Sequence, residues 1–452
     1  MSVQEVVVSR DALPPSPPRW RSLLGAINFF TRDRIENLQE LHGEYGEIVL
    51  TRLNRTRIYF VTDPDAIQEC LVSRHKDFHK SRSYFALRLV MGNGLVTSEG
   101  DFHLRQRRMI QPAFHRERIR EYGKAMIEFA ARARDEYQAG QTYDINRSMM
   151  RVTLYIVAKA LFNSDVTADA KRIGKALDTL MHMDAVFLNP LGPLIARLPL
   201  PINRLRKKMV ADIDEVIYRM IADRRATGDQ GDLMSMLLAA RDEDNTGMTD
   251  LQVRDEAVTL FLAGHETTAN ALTWTWMLLA QHPEIEAKFH EELDRVLQGR
   301  EPTPDDYAQL TYTRQVLAES MRLYPPVWAF AREAVTDTTL GGYPVPAGSQ
   351  VIISSHVVHH HARHYPDPER FDPERFTEAN SAGRHKFAYF PFGGGRRLCI
   401  GEGFAWMEGV LVLATIGQQW KFRLPADFHL VRDPHITLRP LGGLPMKAEP
   451  RH

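Results

Sequence analysis

The chain has 452 residues, and its 57 basic residues balance its 57 acidic residues, so the overall charge favours neither nucleic acid nor an anionic membrane as main partner. Hydrophobic residues make up 44% and charged residues 25%, as in ordinary globular proteins. The two cysteines, Cys70 and Cys399, exclude a disulfide framework, and no Cys-x-x-Cys motif occurs for zinc or redox chemistry. This cysteine usage fits a reducing compartment, and we predict a cytoplasmic protein.

Residues 1–30 contain the proline run Pro14–Pro18 and a short apolar stretch at 23–30. That stretch is far shorter than the ~20 apolar residues that span a bilayer, and it lacks the layout of a signal peptide. We therefore predict an N-terminal proline-rich segment at 1–30 without a membrane anchor. No linker interrupts the remainder, which favours one large domain at 31–452.

The first elements follow simple patterns. Helical spacing of apolar residues predicts a helix over 34–46, and two extended runs, 47–53 and 56–61, predict a hairpin. Residues 63–70 open with Asp-Pro, a typical helix start. Cys70 lies on the apolar face of that helix, which predicts a buried core thiol.

The chain from 78 to 96 mixes bulky apolar and polar residues without a regular period. We expect an irregular segment that covers the core. A helix is predicted over 102–112, and His103 and Arg107, four residues apart, share one of its faces. Taken alone, this pattern is also typical of a solvated basic helix.

The middle third of the chain is predicted to be helical. Asp144 is placed to cap a helix through Phe162, and two further helices are predicted over 167–183 and 202–227. The last of these has apolar residues at helical intervals, at Leu205, Met209, Ile213, Val216 and Met220. The connector at 185–195 is apolar and broken by prolines, as at a ligand entrance or a partner surface.

A long helix is predicted from Thr249, which forms a capping box with Gln252, to the breaker His282-Pro283. It is apolar almost all round, so we expect it to be buried. Burial makes its polar centre, Ala-Gly-His-Glu-Thr-Thr at 263–268, costly unless that centre has a function.

Two interpretations of this centre remain open at this point. In the structural one, the hydroxyls of Thr267 and Thr268 bond back to the preceding turn and distort the helix. In the functional one, Gly264 lets the helix approach a flat ligand, and Glu266 and Thr267 pass protons to a molecule bound in the resulting groove.

Two features lie between this helix and the C-terminus. A helix over 311–323 carries Glu319 and Arg322 one turn apart, which alone predicts an ordinary surface ion pair. Beyond a strand at 350–354, a run of histidines resembles a metal site, but no cysteine or acidic residue has the spacing of a zinc ligand. The run comprises His356, His359, His360, His361 and His364.

The segment 392–401, Phe-Gly-Gly-Gly-Arg-Arg-Leu-Cys-Ile-Gly, is the most unusual in the chain. Three consecutive glycines let a backbone pass close to a flat object and turn N–H groups toward the sulfur of Cys399. Such hydrogen bonds favour a thiolate and tune a metal that it binds. Arg397 is placed to reach an acidic group on the same object.

Phe392, Gly395, Arg397, Cys399 and Gly401 match the pattern Phe-x-x-Gly-x-Arg-x-Cys-x-Gly, and this segment resembles the haem-ligand loop of the cytochrome P-450 family. Four separated segments resemble that family in the same chain order. The resemblance implies a mainly α protein with small β-sheets (α+β), in which haem b lies between a long distal helix and a proximal cysteine loop. It also implies that Cys399 is the axial ligand of the haem iron.

The resemblance assigns further residues around the haem. At position 103 the family usually has tryptophan, so His103 is a departure from its pattern. Glu319, Arg322 and Arg375 are expected to form a buried network that supports the cysteine loop and is not catalytic. The residues expected to bind the haem are His103, Arg107, Ala263, Gly264, Arg332, Phe392, Arg397 and Gly401.

By the same resemblance, Thr267 steadies bound dioxygen and Glu266 brings protons in. The presence of the threonine favours reductive activation of dioxygen over the use of peroxide or rearrangement of substrate. The residues expected to line the substrate pocket are Phe85, Leu87, Leu95, Phe187, Leu262, Ala263, Val327, Trp328 and Leu441.

We therefore predict a monooxygenase that inserts one atom of O2 into an apolar organic substrate, such as a fatty acid, terpenoid, steroid or polyketide-like compound. Electrons are expected from separate proteins, either a ferredoxin with its reductase or a flavodoxin-type donor. Arg105, Arg108 and Arg396 are candidates for a basic docking face. The alternatives are a haem-binding sensor or electron-transfer protein without oxygenase activity, and a zinc-binding interaction protein.

Overall fold

The computed structural model describes residues 13–18, 33–53, 56–162, 167–181, 183 and 192–451. The α-helices of these residues, in chain order, are α1 (Arg34–Tyr45), α2 (Pro64–Gln68), α3 (Phe85–Met91), α4 (Gly100–Ile110), α5 (Arg116–Asp135), α6 (Ile145–Phe162), α7 (Thr167–Met181), α8 (Gly192–Ile195), α9 (Pro201–Thr227), α10 (Leu233–Ala239), α11 (Asp250–Gln281), α12 (Pro283–Leu297), α13 (Thr311–Leu323), α14 (Ser355–His359), α15 (Glu378–Ser381) and α16 (Glu402–Gly417).

The strands are short and form small sheets. They are β1 (Ile48–Leu53), β2 (Thr56–Val61), β3 (Phe78–Lys80), β4 (Thr142–Asp144), β5 (Phe330–Ala334), β6 (Thr338–Leu340), β7 (Tyr343–Val345), β8 (Gln350–Ile353), β9 (Trp420–Arg423), β10 (Arg432–Pro434), β11 (Leu438–Pro440) and β12 (Pro445–Pro450). The largest sheet has the order β1-β2-β8-β5-β3. The predicted mainly α fold with small sheets is confirmed.

Helix α11 is the central element and packs against α6, α9, α13 and α16. Its start is fixed locally, because the side chain of Thr249 accepts from the N–H of Gln252 while the side chain of Gln252 accepts from the N–H of Thr249. Its end is fixed by Pro283, which begins α12. The predicted bounds of this helix are therefore confirmed.

The segment after β3 departs from the prediction. Residues 78–96 were expected to be irregular, yet they contain β3, a 3₁₀ turn over Arg82–Tyr84 and the helix α3. Leucine, alanine and arginine in α3 are good helix formers, and the helix ends at Gly92, whose φ of 62° suits glycine. The expectation of an irregular segment is wrong for α3.

Some predictions fall outside the described residues. These include Phe187, most of the connector 185–195 and most of the segment 1–30. In the described part of the chain, no helix combines the length and the apolar character needed to cross a membrane. The division into a segment at 1–30 and one domain at 31–452 stays a prediction.

Candidate active site

The loop that carries Cys399 is held by its own backbone. The N–H of Cys399 donates to the carbonyl of Phe392 at 3.0 Å. Gly393 and Gly395 have φ values of 73° and 65°, a left-handed conformation that favours glycine. The loop ends at Gly401, the N-cap of α16, so the sulfur lies near the positive end of a helix.

The other reason for glycine in this loop is packing against protein. A Cβ on Gly394 would lie 2.4 Å from the ring of Phe387, and a Cβ on Gly395 would lie 1.9 Å from the carbonyl oxygen of Leu71. Neighbouring protein therefore excludes a side chain at these two positions, while close access of a flat ligand to the glycine run stays a prediction. The two glycines allow the loop to rest on the segment that follows α2.

Cys399 and Cys70 lie in different environments. Burial raises the pKa of Cys70 to about 12, as expected for an inert core thiol. The thiol of Cys399 is accessible but is surrounded by protein, and the loss of bulk water raises its pKa, while the N–H of Gly401 and the guanidinium of Arg107 lower it. A bound metal ion would deprotonate such a thiol, so Cys399 suits metal ligation better than free nucleophilic chemistry.

Basic side chains converge beside this loop. Burial lowers the pKa of His103 to about 3, and the charges of Arg397, Lys80, Arg107 and Arg332 contribute to that shift. Burial, together with Arg397 and Arg332, also lowers the pKa of Lys80 well below its usual range. His103 is therefore neutral near pH 7, and the region has a strongly positive potential.

The positive cluster has little negative charge to offset it. Within the described residues, Glu99 is the carboxylate that bonds to it, through the side chain of Arg397 and, at 2.7 Å, the backbone N–H of Lys80. Arg107 instead donates to the carbonyl of Leu398 at 2.7 Å. Four cations against one carboxylate leave room for a dianionic ligand, and the two propionates of a haem fit this requirement.

Lys80 was missed by the sequence analysis. It lies opposite Arg332 in the antiparallel pairing of β3 with β5. Its Nζ donates to the carbonyls of Val96 and Leu95, the latter at 3.2 Å. No local pattern marks this lysine, because its position depends on pairing between strands that are far apart in the chain. Recognition of β3 as a strand was the signal that could have revealed it.

The burial of helix α11 is interrupted at one place, called the opening below. Residues 253–279 are buried except for Ala263, Gly264 and Thr267, which keep partial exposure. The spacing of these three residues places them on one side of the helix. Gly264 also allows close helix packing, since a Cβ there would lie 3.0 Å from Val157 of α6. The opening therefore coincides with residues predicted to face haem and dioxygen.

The two threonines of this centre differ. The hydroxyl of Thr267 donates to the carbonyl of Ala263 at 2.7 Å, as the structural interpretation expected. Thr268 instead lies beside the carboxyl of Glu408 in α16, whose pKa burial raises well above its usual range. Glu266 is buried and accepts a hydrogen bond from Thr437, a second residue that the sequence analysis missed.

Glu319 and Arg322 are fully buried, so the alternative of an ordinary surface ion pair is wrong. Nε and Nη2 of Arg322 donate to the two carboxylate oxygens of Glu319 at 2.7 and 2.8 Å. Nε of Arg375 lies 3.3 Å from Oε1 of Glu319, and the N–H of Asp372 donates to that oxygen at 3.0 Å. The three predicted residues therefore meet in one network.

The predicted pocket residues have different degrees of exposure. Leu95, Leu262 and Trp328 are buried, whereas Phe85, Leu87, Ala263 and Val327 are half-buried. Leu441 is 61% exposed, so the protein does not enclose it.

Two of the three arginines predicted to form a basic docking face are paired with acidic residues. Arg105 forms an ion pair with Asp242 at 2.5 Å, and Arg108 forms one with Glu243 at 2.6 Å. Both arginines are thus offset by acidic neighbours, and only Arg396 of the predicted three is exposed without such an ion pair within the described residues. The basic docking face of Arg105, Arg108 and Arg396 stays a prediction.

Two residues of the histidine run belong to the core. His356 and His359 are buried, and burial lowers the pKa of each well below its usual range. Across the described ranges, no group of three or more His, Cys, Asp or Glu side chains is arranged to hold a metal ion. These histidines therefore offer no support for a zinc site.

Comparison with known proteins agrees with this site. The family model described as Cytochrome P450 matches residues 14–443. Cyclooctat-9-en-7-ol 5-monooxygenase of Streptomyces melanosporofaciens is 37% identical, with 99% of each chain covered. Cyclooctatin synthase of the same organism is 36% identical over 98% of each chain, and pentalenene oxygenase of Streptomyces avermitilis is 34% identical over 85% of this chain and 86% of its own. The chain therefore belongs to the cytochrome P450 family and is a haem-thiolate monooxygenase.

Proposed function

We propose that this monooxygenase inserts one oxygen atom into a terpenoid-like carbon skeleton. The names of two relatives refer to cyclooctat-9-en-7-ol and pentalenene, which supports this class above fatty acids, steroids and polyketides. The observation that carries the assignment of the reaction site is the exposure of Ala263, Gly264 and Thr267 in an otherwise buried helix. The alternative of a sensor or electron carrier is disfavoured, because these relatives are named for oxygenation.

We assign haem b as the cofactor, and the thiolate of Cys399 would hold its iron. The bound haem supplies reductive activation of dioxygen, which the thiolate promotes by donating electron density. Lys80 joins the residues predicted to bind the haem. Its charge and those of Arg107, Arg332 and Arg397 would offset the propionates, and the imidazole of His103 would donate a hydrogen bond to one of them.

Protons are proposed to reach the reaction site through side chains of α11. Glu266 is buried, so bulk water does not reach its carboxyl directly. The carboxyl would deliver protons to the reaction site, and its hydrogen-bond partner Thr437 would help to replace them. The hydroxyl of Thr267, which donates to the carbonyl of Ala263 here, would turn toward the opening and donate a hydrogen bond to an oxygen molecule there.

Glu319, Arg322 and Arg375 are proposed to have a folding role that supports the cysteine loop. Electrons are proposed to come from a ferredoxin with its reductase or from a flavodoxin-type donor. A basic docking face for the donor is proposed at Arg105, Arg108 and Arg396, of which Arg105 and Arg108 form ion pairs with acidic neighbours. A cytoplasmic location stays a prediction.

The test is a reconstituted reaction with substrates of each class. Purified holoprotein receives NADPH, a ferredoxin, ferredoxin reductase and ¹⁸O2, and is offered pentalenene, a fatty acid, a steroid or a macrolide. We expect the terpenoid to give the fastest product, with one labelled oxygen atom. Faster conversion of a fatty acid would overturn the substrate class, whereas product that carries oxygen from water would overturn the reaction.

A further inference from the structure

Residues 92–98, called the strap below, lead from α3 toward α4 and lie on helix α11. Two adjacent carboxylates of α11 hold the strap there. Oδ2 of Asp255 accepts from the N–H of Asn93 at 2.7 Å, and Oε2 of Glu256 accepts from the N–H of Leu95 at 2.9 Å. Both acidic residues are buried. Because a buried donor that loses its partner is costly, these bonds fix the strap to the helix.

The two carboxylates are themselves oriented by buried neighbours. Oδ1 of Asp255 accepts from Nη1 of Arg254 at 2.9 Å, and Oε1 of Glu256 accepts from Nε2 of Gln106 in α4 at 3.1 Å. Each carboxylate therefore has one oxygen bonded to a neighbouring side chain and the other bonded to the strap. This arrangement fixes the direction in which each carboxylate meets the strap.

The carbonyl groups of the strap meet cations instead. Four consecutive carbonyls accept hydrogen bonds from cationic side chains: those of Leu95 and Val96 from Lys80, that of Thr97 from Arg88 at 2.8 Å, and that of Ser98 from Arg397 at 2.8 Å. Hydrogen bonds to charged groups are stronger than those between neutral groups. The strap is therefore held in one position between the carboxylates of α11 and the cation cluster.

The strap approaches α11 so closely that two of its residues have no room for a side chain. A Cβ on Gly92 would lie 2.2 Å from Oδ1 of Asp255. A Cβ on Gly94 would lie 2.1 Å from Oγ1 of Thr259 and 2.6 Å from the carbonyl oxygen of Asp255. A side chain at either position would push the strap away from the helix.

The strap lies on the side of α11 that carries the opening. Glu256 precedes Ala263 by seven positions and Thr267 by eleven. At 3.6 residues per turn, all three residues point within about 20° of one direction. The strap therefore adjoins the opening from the N-terminal end of α11, and it carries Leu95, which is predicted to line the pocket.

We propose that Asp255 and Glu256 are positioning residues for substrate binding, because they seat the strap that forms one wall of the pocket. They would not contact the substrate themselves. Their hydrogen bonds would hold Leu95 in place before the substrate arrives, so that binding does not have to order this wall. The proposal rests on the proposed reaction site at the opening, but it does not depend on the terpenoid class of the substrate.

The experiment titrates the ferric holoprotein with imidazole and with 4-phenylimidazole at pH 8, above the pKa of Glu256 of about 7. Each ligand shifts the Soret band when its nitrogen binds the iron. Imidazole reports on the iron alone, whereas the phenyl ring of the larger probe also needs the pocket wall. Glu256→Ala should weaken the binding of 4-phenylimidazole about threefold to tenfold, as expected for one hydrogen bond, and should leave the binding of imidazole unchanged.

The conservative variant Glu256→Gln should restore the affinity for 4-phenylimidazole. The new amide oxygen can accept from the N–H of Leu95, while Gln106 turns its own amide oxygen toward the new NH2 group. A role of Glu256 that depended on its charge alone would not be restored by glutamine.

Gly94→Ala tests the strap itself and leaves both carboxylates in place. Its Cβ would lift the strap from α11, so this variant should also weaken the binding of 4-phenylimidazole and spare that of imidazole. Gly43→Ala in α1 is the matched control, because a Cβ on Gly43 would meet no atom within 4 Å and should change neither affinity.

Wild-type affinity for 4-phenylimidazole in both Glu256→Ala and Gly94→Ala would overturn the proposal. An equal loss of affinity for both ligands would also overturn it, because the defect would then lie at the iron and not at the pocket wall. A wild-type protein whose Soret band shifts with neither ligand would contradict the proposed haem site, and the proposal with it.

Discussion

The hydroxyl of Thr437 donates a hydrogen bond to Oε1 of Glu266 at 2.5 Å, although 171 positions separate the two residues. The same hydroxyl accepts a hydrogen bond from Nδ2 of Asn270 at 3.1 Å. Oδ1 of Asn270 in turn accepts from Nδ2 of half-buried Asn146 at 3.2 Å. The turn between β10 and β11 thus orients the carboxyl that we propose as the proton source, and a polar row connects it to the edge of α6.

Thr437→Val keeps the size of the side chain and removes its hydrogen bond to Glu266. An intramolecular hydrogen bond contributes about 0.5–1.5 kcal/mol, so we expect turnover to fall about threefold to tenfold. The haem content, read from the visible spectrum, should stay unchanged. Thr437→Ser retains the hydroxyl and should retain turnover. Equal turnover in the valine variant would contradict the role of this bond.

Thr267→Ala removes the hydroxyl at the opening of α11. We expect NADPH consumption to continue while hydrogen peroxide replaces product, because the bound oxygen loses its stabilising donor. The measurement is the ratio of product to NADPH consumed, together with the peroxide formed. Thr275→Ala is a matched control, since the hydroxyl of Thr275 donates to Ala271 at 2.7 Å in the same way but is fully buried. Equal loss of coupling in both variants would indicate a helix defect.

Local signals were sufficient to predict the long helix and the cysteine loop. The capping box at Thr249, the proline at 283 and the residues around Cys399 are all contained in short stretches of sequence. Each depends on groups within a few residues, so no knowledge of the tertiary fold was needed. The buried network of Glu319, Arg322 and Arg375 was predicted from the family resemblance, because the spacing of Glu319 and Arg322 alone indicated a surface ion pair.

Long-range relationships could not be predicted in the same way. Lys80 joins the cation cluster because β3 pairs with β5, and Thr437 meets Glu266 because a turn folds back onto α11. Gly394 and Gly395 must lack side chains for a reason that the sequence does not reveal, because a Cβ would meet Phe387 or the backbone of Leu71. Each of these outcomes depends on which segments meet in three dimensions.

Lys80→Met should weaken haem retention. The change removes one cation that we propose to face a propionate, and we expect haem transfer to apomyoglobin to become about tenfold faster. The pKa of His103 should rise as one of its cationic neighbours is lost. Lys76→Met, an exposed lysine outside the cluster, should leave the transfer rate unchanged. Unchanged haem transfer in Lys80→Met would place the lysine outside the haem site.

Glu319→Gln should destabilise the protein strongly. It leaves the guanidinium of Arg322 fully buried without its charged partner, and breaking such a pair costs about 3–5 kcal/mol. The free energy of unfolding of the holoprotein in urea measures this cost. Glu243→Gln breaks the exposed pair with Arg108 and should change the same quantity by less than about 1 kcal/mol. Similar losses in the two variants would refute the folding role of the network.

Glu256 of α11 makes stability depend on pH in a direction opposite to that of most carboxylates. It accepts hydrogen bonds from the N–H of Leu95 at 2.9 Å and from Nε2 of Gln106 at 3.1 Å, but burial raises its pKa to about 7. The folded state thus binds a proton more tightly than the unfolded state, so this stabilisation is complete below about pH 4.5 and is lost as the pH rises through 7. Glu256→Gln removes the titration. The free energy of unfolding of this variant, minus that of the wild type, should therefore increase by about 1.4 kcal/mol per pH unit between about pH 5 and about pH 7. A difference that stays constant across this range would show that Glu256 does not titrate there.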